Sequence, residues 1–94
     1  VAMHRETWEE AVDALTRQAA AVEPAEATEV LATAATLLRS RLGRTEDAVA
    51  TLREAVNRDP AAYAAWAMLG ELLGELGRHE ERAAVFGELA TRAT

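Results

Sequence analysis

Apolar residues return every three or four positions along almost the whole chain, a spacing that predicts helices rather than strands. Val12, Leu15, Ala19 and Val22 mark a first helix over 7–22. Val30, Leu31, Ala34, Ala35, Leu38 and Leu42 form a broad stripe on a second, which runs from Pro24 to Leu42. Ala48, Val49, Leu52, Ala55 and Val56 define a third, and Tyr63, Trp66, Leu69, Leu72, Leu73 and Leu76 a fourth. Val85, Phe86, Leu89 and Ala93 give a fifth over 79–93. No segment alternates with the period of two that a half-buried strand needs.

The punctuation between these stripes predicts where each helix starts and stops. Thr7-Trp8-Glu9-Glu10 reads as a capping box, in which the Thr hydroxyl and the Glu side chain satisfy each other's backbone amides. Glu23-Pro24 is a break followed by a restart, because Pro is tolerated at the first helical position. Gly43 and Gly77 end the second and fourth helices by accepting a left-handed conformation. Thr45 is the predicted cap of the third helix, with Glu46 and Asp47 where the helix dipole favours negative charge. Asp59-Pro60 is expected to stop the third helix and cap the fourth. Linkers this short force consecutive helices antiparallel and side by side.

One word occurs twice. Leu42-Gly43-Arg44-x-Glu46 returns as Leu76-Gly77-Arg78-x-Glu80, 34 residues later, with a helix pair between the copies. A fixed period of that length marks a stacked repeat. Trp66-x2-Leu69-Gly70-x2-Leu73 and Ala48-x3-Leu52, followed by Ala55 and Asp59-Pro60, resemble the two halves of a tetratricopeptide repeat (TPR). The first helix resembles the second half of such a repeat: Trp8-Glu9-Glu10-Ala11-Val12-x2-Leu15 lines up with Thr45-Glu46-Asp47-Ala48-Val49-x2-Leu52, at an offset of 37. The chain therefore divides into a half repeat over 7–22 and repeats over 25–60 and 61–94, and is expected to be a fragment of a longer array. The resemblance implies an all-α fold, a right-handed stack of about five antiparallel helices forming an α-solenoid. It departs from the family at Ala32, Ala35 and Thr36, which replace Trp, Leu and Gly, and at Arg82 and Leu89, which replace small residues. An Arg at 82 has to run its stem along the helix contact and leave its charge in water.

Composition narrows the function. Half of the residues are hydrophobic but only 4% are aromatic, so the core depends on close helix approach at Ala and Gly rather than on large side chains. A net charge of −6 without any basic run excludes a nucleic-acid footprint. All ten basic residues are Arg, which points to a GC-rich, bacterial genome. The absence of Cys removes disulfides, thiolate chemistry and Cys-ligated zinc, and is compatible with the cytoplasm. No apolar run approaches the roughly 20 residues that a membrane span needs, and no signal peptide is visible. The expected location is cytoplasmic.

Candidate chemistry gives way to simpler roles. His79-Glu80 opens like a zinc-protease helix, but Ala83 stands where the second His belongs, and His4 is isolated near the terminus. Glu9-Glu10, Glu46-Asp47 and Glu80-Glu81 are paired carboxylates, yet they recur at one place in each helix, where the dipole accounts for them. Gly70, Gly74 and Gly77 follow no strand, so they do not form a nucleotide loop. Trp8 and Trp66 read as core or helix-contact residues rather than ligand platforms. No nucleophile, base and oxyanion donor assemble, so an enzyme is not expected, and no cofactor or metal is implied.

The resemblance implies a concave groove lined by the first helix of each repeat. Its positions are Val30, Thr33, Leu37, Ser40 and Arg41 on the second helix, and Ala64, Ala67, Met68, Glu71 and Glu75 on the fourth. Where some members hold a terminal carboxylate with Lys, Asn and Arg, this chain carries Thr33, Leu37, Ala64, Ala67 and Met68, so that function is not implied. The groove is expected to be apolar, rimmed by Glu71, Glu75 and Arg41, and suited to an amphipathic helix or apolar peptide of modest basic character. The expected function is a protein–protein interaction scaffold, and the alternative is a regulatory helical domain responsive to a small molecule. Val85, Phe86, Leu89, Ala90 and Ala93 at one end, and Val12, Leu15, Ala19 and Val22 at the other, predict apolar ends and self-association through them.

Overall fold

The computed structural model describes residues 5–93; Val1–His4 and Thr94 lie outside it. Five helices follow one another: α1 (Arg5–Ala21), α2 (Pro24–Ser40), α3 (Thr45–Arg58), α4 (Tyr63–Glu75) and α5 (His79–Ala93). Each packs on the next. Contacts that skip one helix tie α1 to α3, α2 to α4 and α3 to α5, so α2 and α4 form one layer and α1, α3 and α5 the other. The Cα atoms span 44 × 32 × 16 Å, and the thin dimension is that of two helix layers with axes about 8–10 Å apart.

Small residues set the helix spacing. Ala27, Ala34, Ala35, Ala48 and Ala55 have no exposed surface, and Leu31, Leu52, Leu69 and Leu73 fill the space between them. Gly70 is closed over by Phe86 of α5, whose ring would meet a Cβ at 2.6–2.9 Å. Arg82 lays its side chain past Gly74, with Cδ 3.0 Å from where a Cβ would stand, and its guanidinium lies 5.1 Å from the Phe86 ring centroid. The stem runs along the contact and the residue stays exposed, as its place in the sequence requires.

The helix stops follow the sequence reading, as do the starts of α2 and α5; the starts of α1, α3 and α4 differ from it. Gly43 and Gly77 have φ of 64° and 74°. Beyond Gly77, the Arg78 amide returns to the Leu73 carbonyl at 2.9 Å, closing the last turn. Pro24 opens α2 as expected, with the Glu23 carbonyl accepting from Ala27. Thr7, however, is already inside α1, so the capping box does not form. Arg44, not Thr45, is the capping residue of α3, and no side-chain oxygen caps it; Arg44 Nε instead donates to Asp47 Oδ2 at 2.7 Å and fixes the turn. Asp59 ends α3 without capping α4. It holds a turn by accepting from the Ala61 amide at 3.2 Å, and α4 begins only at Tyr63. The Trp66 indole secures that start by donating to the Pro60 carbonyl at 3.0 Å. Both Trp66 and Trp8 are half-buried at the margin of the core, not within it.

Candidate binding groove between α2 and α4

The layer made by α2 and α4 presents a seam between two parallel-stacked faces. Ala35, Thr36 and Arg39 on α2 meet Met68, Glu71, Leu72 and Glu75 on α4 around a pit of about 90 Å³. Residues three or four apart share a helix face, and both sets follow that spacing. Ala35 and Leu72 are buried and Met68 half-buried, giving the pit an apolar floor. Arg39 bridges its rim. The Nε atom donates to both Glu75 carboxylate oxygens at 3.0 and 2.9 Å, and a terminal nitrogen to one of them at 2.6 Å. This fork geometry is the strongest form of the Arg–carboxylate contact. It holds the Glu75 carboxyl below its ordinary value and raises the Arg39 guanidinium, which also feels the charge of Glu71.

Of the ten residues expected to line a groove, the structure brings Met68, Glu71 and Glu75 to the pit. Thr33, Ser40 and Ala64 are exposed on the same two helices, and Ala67 is half-buried. Val30 and Leu37 are half-buried, and Val30 packs against the core. Arg41 is not on the rim. Its guanidinium lies 5.1 Å from the ring centroid of Trp8, on α1. Positions 39 and 41 are two apart, and at about 3.6 residues per turn they project from nearly opposite sides of the helix; the rim arginine is therefore Arg39. Ala35, Thr36 and Leu72 also escaped the sequence reading. The available signal was the family departure at Ala35, where Ala in place of Leu leaves the floor of the pit open.

The hydroxyls of this surface are internally committed. Thr33, Thr36 and Ser40 each donate to the carbonyl four residues earlier, at 3.1, 2.9 and 2.6 Å. Glu71 has no hydrogen bond and no ion pair.

A second charged feature lies on the opposite edge. Arg78 donates to Glu46 across the stack at 3.0 Å and to Glu81 at 3.1 Å, and Arg53 stands 3.6 Å from Glu81. Bonding from Arg78 lowers the Glu81 carboxyl below its ordinary value. Glu46 and Glu81, assigned above to the helix dipole, thus also link successive helix pairs. The ends of the stack are less apolar at the surface than the sequence implies. Of the α5 residues expected at that end, Val85 is buried, Phe86 and Leu89 are half-buried and Ala90 is exposed. On α1, Ala19 is buried and Val12, Leu15 and Val22 half-buried. Tyr63 is the one large hydrophobic residue counted as exposed among the described residues.

Five antiparallel helices in two layers, with a short-period internal repeat and small residues at each crossing, define an α-solenoid. Residues 28–72 and again 63–93 match the tetratricopeptide repeat, and the chain belongs to that family. Repeats of this family generally mediate protein–protein interaction and are typically scaffolds rather than enzymes. No curated protein and no solved structure matches the chain closely enough to count as a relative. Among the described residues no helix is long and apolar enough to cross a membrane.

Proposed function

We propose that this chain is a protein-interaction scaffold that receives a peptide or helix along the α2–α4 groove. The observation that carries the reading is the pit itself: an apolar floor of Ala35, Met68 and Leu72 on the face where both helices keep exposed small or polar residues. A ligand helix laid across such a face buries one apolar side chain in the pit and its flanks against Thr33, Ala64 and Ala67. The predicted groove set of Val30, Thr33, Leu37, Ser40, Arg41, Ala64, Ala67, Met68, Glu71 and Glu75 is narrowed accordingly, with Arg39 replacing Arg41.

The alternative, a domain responsive to a small molecule, has less support. Small-molecule sites are concave spaces of about 300–1,000 Å³ lined mainly by apolar groups, and this pit holds about 90 Å³. Larger spaces are open to solvent and ringed by charge: one of about 320 Å³ between α1 and α3 with Glu9, Asp13, Arg44 and Asp47, and one of about 270 Å³ beside Trp66 and Val85 with Arg53, Glu81 and Glu88. Self-association through the ends is the competing use of the apolar surface, but the packing of Phe86 between Gly70 and Arg82 weakens it. A cysteine-free interaction module suits the cytoplasm.

The test is affinity capture with the wild-type chain and with Ala64→Trp, which fills the groove from an exposed position. Partners retained by the wild type and lost by the variant support the groove. Retention of the same partners by both, with equal helicity, contradicts it.

A further inference from the structure

Apart from Arg39, the side-chain polar atoms of the groove offer acceptors. The Thr33, Thr36 and Ser40 hydroxyls spend their single proton on backbone carbonyls of α2, so toward a ligand they offer only lone pairs. Beyond their first turns, the backbone amides of both helices are taken within the helices. Arg39, the one cation of the pit, has its Nε and one terminal nitrogen held by Glu75. Glu71, one turn before Glu75 on the same helix, is exposed and without a hydrogen bond or ion pair. Two carboxylates thus face one guanidinium, and one negative charge is uncompensated beside the apolar pit.

We infer that the α2–α4 groove selects a helical segment that carries Lys or Arg for Glu71 and, one turn away, a small aliphatic side chain for the pit. The inference rests on the groove reading proposed above and names the partner chemistry. An acceptor-lined surface is complementary to donors. An incoming carboxylate finds only the remaining terminal nitrogen of Arg39, whose charge Glu75 already compensates, with Glu71 repelling it alongside. A cationic side chain meets Glu71 without breaking any contact. The size of the pit sets the second requirement. A closed cavity of about 150 Å³ holds a benzene ring; an open pit of about 90 Å³ matches an aliphatic side chain in size.

The probes are three amidated helical peptides about four turns long, composed of Ala and Leu with Lys, with Gln or with Glu at the same positions. A fourth repeats the Lys peptide with a free terminal carboxylate. Binding is measured by fluorescence anisotropy to the whole chain and to Glu71→Gln, Glu10→Gln, Ala64→Trp and Thr33→Trp. Glu71→Gln and Glu10→Gln change the net charge equally, and Glu10 lies exposed on α1, so together they separate the groove carboxylate from general attraction to an acidic chain. The expected order is Lys above Gln above Glu, with no gain from the free carboxylate. Glu71→Gln is expected to weaken the Lys peptide by about two- to fivefold, the range of an exposed ion pair, and Glu10→Gln to leave it unchanged. Equal binding of the three peptides, all lost in Ala64→Trp, overturns the inference and leaves the groove standing. So does an equal effect of Glu71→Gln and Glu10→Gln. Binding that survives both Ala64→Trp and Thr33→Trp overturns the groove reading, and the inference with it.

Discussion

Phe86 lies so close over Gly70 that a Cβ on the glycine would sit 2.6 Å from the ring. Gly87, on the helix that carries Phe86, has nothing within 4 Å of the same construction. The two positions give opposite expectations for one substitution. Gly70→Ala gains about 1 kcal/mol of helix propensity but forces the ring out of place, and overpacking of this kind costs about 1–3 kcal/mol; a net loss follows. Gly87→Ala meets no obstacle and should stabilise by up to about 1 kcal/mol. Urea midpoints of the two variants check the pair, and a stable Gly70→Ala would show that α4 and α5 are not held this closely.

Ala48 tests the other tight crossing. It is fully buried where α3 meets the rest of the core. Ala48→Leu is expected to lower stability by about 1–3 kcal/mol through overpacking. Ala50, exposed on the same helix, is the control: Ala50→Leu should change the denaturation midpoint little.

The helix stops carry a backbone requirement. Gly43 and Gly77 hold φ of 64° and 74° with open space where a side chain would be, so replacement by Ala costs conformational energy alone, about 1–2 kcal/mol. Equal losses at the two sites are expected, because the two turns are copies of one word in the sequence. Thermal melts of the single and double variants measure both the size and the additivity.

Two carboxylates give the pH dependence. Hydrogen bonds from Arg39 and Arg78 lower the Glu75 and Glu81 carboxyls in the folded chain. A depressed folded value means that the unfolded chain binds protons more readily, so stability rises with pH in this range. The contribution is fully present above the ordinary glutamate value and is lost as pH falls through the lowered ones. Both pairs are solvent-exposed, so the effect should be small and shrink with added salt. Denaturation midpoints across the acid range, for the wild type and for Glu75→Gln with Glu81→Gln, should converge at low pH. Parallel curves would remove these pairs as the cause.

The architecture was readable in the chain because its determinants are local: Ala and Gly at fixed spacing, Gly43 and Gly77 at the stops, and one word repeated. Arg82 was also readable, since a long side chain on a close contact has only one way out. The starts of α1, α3 and α4 were not, because capping depends on which carbonyl takes the first helical bond. Arg44 claims that role from Thr45 by pairing with Asp47, and the turn after Asp59, tied to Trp66 through Pro60, delays α4. The groove was half readable. Glu71, Glu75 and Met68 follow from the face of α4, whereas choosing Arg39 over Arg41 requires the relative rotation of α2 against α4, which no single-helix pattern contains. The pairing of Arg78 with Glu46 and Glu81 was hidden for a related reason, since helix dipoles already accounted for those carboxylates.

The central claim is that the α2–α4 face, and not an outer helix, is the working surface. Backbone chemical-shift mapping on the isotopically labelled chain, titrated with the amidated Lys peptide, tests it most directly. The expected shifts gather at Thr33, Thr36, Ala64, Ala67, Met68 and Glu71, with α1 and the outer side of α5 unmoved. Shifts confined to α1 or to Ala83, Gly87 and Ala90 of α5 would contradict it.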